Sequence, residues 1–199
     1  MDRAWHNERM SAHTAQTPTA PAVRSCDGCT LCCKVMNVPE LNKPAGAWCK
    51  HCAPTTGCRI YEVRPNACRV FHCAFLVTPE MPESWRPKRS HFVIVGGPTG
   101  RLVAVHCDPQ YPRAWRNEPY YSHFKRWSAE LIERATLLAV YVGKHATAIL
   151  PDRDVELGVL DGKSLILNKN PTPRGFVYDV VPVPEGDPRA VVLKDASAS

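Results

Sequence analysis

Residues 26–73 read CDGCTLCCKVMNVPELNKPAGAWCKHCAPTTGCRIYEVRPNACRVFHC and hold nine of the ten cysteines in a chain of 199 residues. The run opens as Cys26-x-x-Cys29-x-x-Cys32-Cys33, passes through Cys49, Cys52, Cys58 and Cys68, and ends at Cys73. A Cys-x-x-Cys turn points two sulfurs at one centre, which is how zinc and iron–sulfur sites gather about four soft ligands. Neighbouring side chains on extended backbone point to opposite sides. Cys32 and Cys33 are therefore expected to serve different metals, or opposite edges of one larger cluster. Cys26, Cys29, Cys32 and Cys33 make one set of four. Cys52, Cys58, Cys68 and Cys73 make a second, with Cys49 left over. Eight thiolates suit two four-coordinate centres, separate or interleaved, and His51 and His72 are alternative ligands beside cysteines. The spacing alone does not choose between zinc and iron.

The rest of the chain bears on whether these thiols are reduced. No apolar run approaches the ~20 residues that cross a bilayer, and the first 25 residues lack the apolar stretch of a secretory signal. The expected location is the cytoplasm, with no membrane partner. Structural disulfides are rare there, so clustered cysteines favour a metal over a disulfide framework. The net charge of +6 is uneven: residues 1–90 carry 12 Lys/Arg against 7 Asp/Glu, and the remainder is nearly balanced. Four thiolates around a zinc dication, or a [4Fe–4S] cluster, carry a net charge of about −2. Lys34, Lys50, Arg59, Arg64 and Arg69, interleaved with the cysteines, are read as compensating that charge. A nucleic-acid footprint is disfavoured, because aromatic residues for base stacking are not interleaved with the basic ones.

Outward from the run, residues 1–24 read as a disordered tail, 25–75 as a turn-rich cysteine module, and 76–90, with three prolines, as a connector. Residues 91–199 read as an α+β region packed with the module. His91–Val95 and Arg101–His106 flank a Gly-Gly-Pro-Thr-Gly turn and predict a hairpin. Tyr120, Phe124, Trp127, Leu131, Ala135 and Leu138 form one apolar stripe, which predicts a helix over 119–138 capped by Asn117. Short strand-like runs follow at 140–142, 147–150, 156–160, 164–167, 175–183 and 190–193. Asp161-Gly162 predicts a tight turn between two of them. The fold class expected is α+β: a metal-stabilised cysteine module with an antiparallel sheet and one long helix. Cys107, at the end of an apolar strand, reads as a core thiol. His91, His106, His123 and His145 have no partner visible in the sequence.

The opening CxxCxxCC motif, with the later Gly57-Cys58-Arg59-Ile60-Tyr61-Glu62-x-Arg64-Pro65-x-x-Cys68-Arg69-x-Phe71-x-Cys73, resembles the YkgJ-type family, bacterial CxxCxxCC proteins described as zinc- or iron-chelating. The resemblance covers residues 26–75. It implies that Cys26, Cys29, Cys32, Cys33, Cys52, Cys58, Cys68 and Cys73 are metal ligands, with Cys49 and Cys52 competing for one position. Flagellin lysine N-methylases look like distant relatives through the same cysteines, which hints at an iron–sulfur cluster and protein modification. On the residues themselves, Tyr61 is expected to anchor the module by packing its ring. Arg64 and Arg69 are expected to donate to thiolates or backbone carbonyls, and Pro65 to fix a turn. Three functions compete: a cytosolic zinc- or iron-binding protein, an iron–sulfur redox or protein-modifying enzyme, and a zinc module binding a protein or nucleic acid. No nucleophile–base pair, phosphate loop or dinucleotide fingerprint points to a particular reaction.

Overall fold

The structure, a computed structural model, describes residues 24–26, 28–96, 100–160 and 163–190. The tail through residue 23, the middle of the 96–100 turn, the Asp161-Gly162 turn and the end of the 190–193 run lie outside the described residues.

The cysteine-rich part contains only short elements: α1 (Cys32–Val35), a small ribbon of β1 (Cys52–Ala53) and β2 (Gly57–Cys58), α2 (Asn66–Arg69) and α3 (Ala74–Val77). After α4 (Pro87–Ser90) come β3 (Phe92–Gly96), β4 (Leu102–Cys107), α5 (Tyr120–Ile132), β5 (Leu137–Val142), β6 (His145–Ile149) and β7 (Asp154–Val159). A long ribbon of β8 (Lys163–Thr172) and β9 (Gly175–Pro184) follows. The fold is α+β with one long helix, as its sequence predicts.

Strands β3 to β7 form one sheet in sequence order. The expected hairpin is present one residue later on each strand, with Phe92 opposite Cys107. The sheet is mixed, not purely antiparallel: β4 and β5 run parallel, with Leu102 opposite Leu137. The reason is the helix between them. A strand–helix–strand crossover returns the chain in its original direction, whereas a hairpin reverses it. No hairpin spans residues 160–163, because β7 pairs with β6 and β8 pairs with β9.

The helix is shorter than its apolar stripe. It ends at Ile132; Ala135 takes a left-handed conformation (φ 53°), and the Thr136 amide turns back to the Leu131 carbonyl. Leu138 lies in β5 instead. A continuous apolar run buried on both sides satisfies a helical period and a strand equally well. The start also differs: Asn117 contributes its backbone carbonyl to the Tyr121 amide, and no side chain caps the helix.

Strand β5 explains the layering. Leu137, Leu138, Ala139 and Val140 are all essentially inaccessible. Leu138 and Val140 join Phe92, Val105 and Phe124, while Leu137 and Ala139 join Leu165, Tyr178 and Val180 from the β8–β9 ribbon. Strands apolar on both faces need covers on both. The first cover is α5 together with the cysteine module, since Leu31, Val35, Cys73 and Phe75 belong to the same core cluster as the sheet. Cys107 lies in that core too, its thiol donating to the Tyr111 carbonyl.

Two contacts fasten the module to the sheet. Trp85, in the stretch read as a connector, is 3% exposed. Its ring meets Phe92, Tyr120, His123 and Phe124 edge-on at 5.0–6.0 Å. Lys34 of α1 reaches Asp108 at the end of β4 at 2.6 Å, with both side chains nearly inaccessible. The Gln110 side chain accepts from the same ammonium at 2.6 Å, and the Gln110 amide donates to Asp108. Three of the four histidines have ring partners: His91 stacks on Tyr111 at 3.8 Å, His106 on Tyr141 at 5.2 Å, and His123 meets Trp85. Among the described residues no helix is long and apolar enough to cross a membrane.

Trp85→Ala should lower stability by about 3–5 kcal/mol, the usual cost of emptying a large buried aromatic site, read as a fall in denaturation midpoint. Asp108→Asn should cost about 3–5 kcal/mol by stranding the Lys34 charge. The double change Lys34→Met, Asp108→Leu should recover much of that loss in the same measurement.

Candidate metal centre

The first turn of the motif is shaped by Gly28. Its φ of +67° is costly for a residue with a side chain, and a Cβ there would stand 2.2 Å from the Thr55 carbonyl oxygen. Glycine thus lets the Cys26–Cys29 turn lie against the loop between β1 and β2. The Thr55 amide donates to Thr30 Oγ1 at 3.3 Å, which fastens the same contact. The Cys29 amide bonds to the Cys26 carbonyl, closing the turn that presents both sulfurs.

Cys32 and Cys33 stand on α1, in helical backbone, not in the extended backbone assumed from the sequence. Their thiols are neighbours: Cys32 acts on the Cys33 thiol, and Cys52 lies beside it as well. The two nevertheless face different neighbours. Cys32 packs with Cys29 against the core cluster that contains Cys73, and Cys73 is within electrostatic reach of Cys29 and Cys26. Cys33 faces the outer lobe. Its carbonyl accepts from the Cys49 amide and the Cys49 carbonyl accepts from the Cys52 amide, while Cys52 is paired with Cys58 across β1 and β2. Cys68 lies within reach of Cys33, Cys49 and Cys58.

The thiols therefore fall into two groups that cross the sequence blocks. Cys29, Cys32 and Cys73 at the core, with the exposed Cys26 beside them, form an inner group. Cys33, Cys49, Cys52, Cys58 and Cys68 form an outer group, and the Cys32–Cys33 contact joins them. Cys49, left over in the sequence count, belongs with the outer group, as does Cys52.

The cations are arranged differently from their order in the chain. Lys34 is spent on Asp108. Arg64 donates to the Tyr61 carbonyl, and Arg69 to the carbonyls of Arg64 and Glu62. Both guanidiniums thus brace the 61–69 turn through its backbone. The Tyr61 ring does not anchor the module: it is 57% exposed and stacks against Arg64, at 3.9 Å. Pro65 does set its turn, its carbonyl accepting from the Cys68 and Arg69 amides. Glu40 adds a bond to the Ala67 amide at 3.0 Å. The His72 Nδ1 is engaged by the Val70 carbonyl.

The cation that faces the outer thiols is Lys43, which sequence reading passed over. Its ammonium donates to the carbonyls of Lys34, Met36 and Pro44 within reach of Cys49, Cys33, Cys32 and Cys68. A bridge between Val38 and Lys43, closed around the Pro39–Leu41 turn, points this side chain inward. A pattern signal existed: Lys43 is the one lysine of the module not adjacent to a cysteine.

Crowding governs the thiols. The hydrogen bond with Cys32, and then burial, push Cys33 far above the ordinary thiol value. Burial raises Cys52 to about 11 and also raises Cys68 and Cys73. These groups are protonated at neutral pH without a metal, so a metal must displace protons to bind. Among the described residues no three His, Cys, Asp or Glu side chains converge in a group that could hold a metal ion as they stand. In kind and number the donors fit a soft metal: each group offers at least four sulfurs on adjoining segments. Each sulfur moves by a single χ1 rotation between staggered wells, without displacing backbone.

No protein-family model, curated protein or solved structure matches the chain.

Proposed function

We propose that this chain is a zinc- or iron-binding protein of reducing compartments, with a thiolate site built from the inner and outer cysteine groups. The observation that carries the reading is the contact of Cys33 with Cys32 and Cys52, with Cys49, Cys58 and Cys68 gathered beside it. Cys33, Cys52, Cys68 and Cys73, drawn from separate segments, are held where burial and neighbouring thiols oppose their ionisation, and soft-metal ligation is the chemistry that rewards such an arrangement. The resemblance to the YkgJ-type family supports the same reading, and a cytoplasmic location is part of the proposal. Iron would be held as a [4Fe–4S] cluster and zinc as a tetrathiolate ion.

The inner segments share the sheet's core, whereas between residues 44 and 72 Cys52 is the one buried residue. The outer lobe buries too little apolar surface to hold itself, so ligation has to supply its order. Protein purified anaerobically should contain about one to two equivalents of zinc, or about four to eight of iron, per chain by elemental analysis. Chelation should raise amide hydrogen exchange across 44–72 while leaving β4 and β5 protected; unchanged exchange throughout would refute the proposal. Cys33→Ser should reduce metal content, and Cys107→Ser should leave it unchanged. Gly28→Ala should displace the Cys26–Cys29 turn from Thr55 and weaken zinc retention against a chelator at least tenfold.

A further inference from the structure

Lys43 is 5% exposed, and among the described residues no carboxylate forms an ion pair with it. Its three donors are satisfied by three carbonyls, but carbonyl dipoles do not cancel a net charge. A buried ammonium without a counter-charge is strongly disfavoured, and the other buried lysine, Lys34, has its carboxylate in Asp108. The ionisable groups that face Lys43 are Cys49, Cys33, Cys32 and Cys68. They become anions when they ligate a metal.

We infer that Lys43 is the built-in counter-cation of the outer centre: a positioning residue that makes the outer thiols beside it, Cys33, Cys49 and Cys68, favour metal as part of an anionic thiolate complex. The inference rests on the proposed metal-binding function. Four thiols that ligate a divalent ion lose four protons to solvent, and the complex carries about −2. Lys43 offsets half of that charge from a nearly buried position, where water screens it less than at the surface. Holding the Lys34 and Met36 carbonyls, the same ammonium also ties the loop before Cys49 to the helix that carries Cys33. A hollow of about 180 Å3, lined by Lys43, Trp48, Cys49 and Lys50 among others, leaves the centre approachable on that side.

The test is zinc competition with a chromophoric chelator, using full-length wild type, Lys43→Gln and Lys43→Arg, with circular dichroism of the zinc-free forms. Gln keeps donors for the carbonyls but removes the charge, whereas Arg keeps the charge. Lys43→Gln should bind zinc at least tenfold more weakly, the usual loss when a group supporting a metal's ligands is removed, and Lys43→Arg should stay near wild type. Wild-type affinity in Lys43→Gln would reduce Lys43 to a backbone clamp and overturn the inference while leaving metal binding standing. Absence of zinc and iron binding by wild type would overturn both. Should Lys43→Gln fail to fold, acylation of wild-type lysines decides. Zinc loading should slow modification of Lys43 at least several-fold relative to Lys163, and an equal rate would refute the ion pair.

Discussion

The central parallel strands, apolar on both faces, set the terms for everything around them. β4 and β5 are the middle of the sheet, and the run LLAV at 137–140 has no face that water can touch. A sheet of this kind is stable only between two layers. The β8–β9 ribbon supplies one. The other is shared by α5 and the cysteine module, so the module is not an appendage tethered by a linker. It is half of a core wall, fastened by Leu31, Val35, Phe75 and Trp85 and by the Lys34–Asp108 pair.

That division explains what the sequence revealed. Short strand-like runs located β3, β4 and β6 to β9 and the end of β5, because alternation and β-branched content survive in a single sequence, but the two-residue strands β1 and β2 were too short to read. The helix was found but overextended, since LLAV is buried on both faces and fits either period. The parallel pairing was illegible because strand direction depends on how the helix between β4 and β5 crosses the sheet, a property of tertiary packing. At the site, the residue types and spacing exposed the cysteines as a set, but not their partition. Sequence order puts Cys32 beside Cys33 and Cys73 far from Cys26. The fold puts Cys73 with Cys26 and Cys29, because α3 packs the inner face of the module onto β3.

The charges were misread for a related reason. A lysine adjacent to a cysteine in sequence appears to be its counter-ion, yet Lys34 points to the sheet and is neutralised there. Arg64 and Arg69 satisfy carbonyls in a loop poor in regular hydrogen bonds. Lys43 is ten residues after Cys33 and six before Cys49, and the Val38–Lys43 bridge turns it toward the thiols. Proximity in the chain predicts electrostatic pairing only where the backbone between the two groups is short and rigid.

The inner and outer thiol groups also differ in what holds them. The inner group sits on segments already buried against β3 and β4, and its backbone positions are set by the apolar core. Apart from Cys33 on α1, the outer group hangs on short turns with one buried side chain, and its geometry is set by caps such as Glu40 on α2 and Thr30 on the Thr55 amide. A ligand set on rigid segments favours a fixed geometry, whereas one on loosely held turns gains order when a metal binds. The Cys32–Cys33 contact links the two regimes through adjacent residues of one helical turn. Cys33 and Lys34 are consecutive residues of α1, so the helix that carries a thiol of the outer group also carries the ion pair to Asp108 at the end of β4.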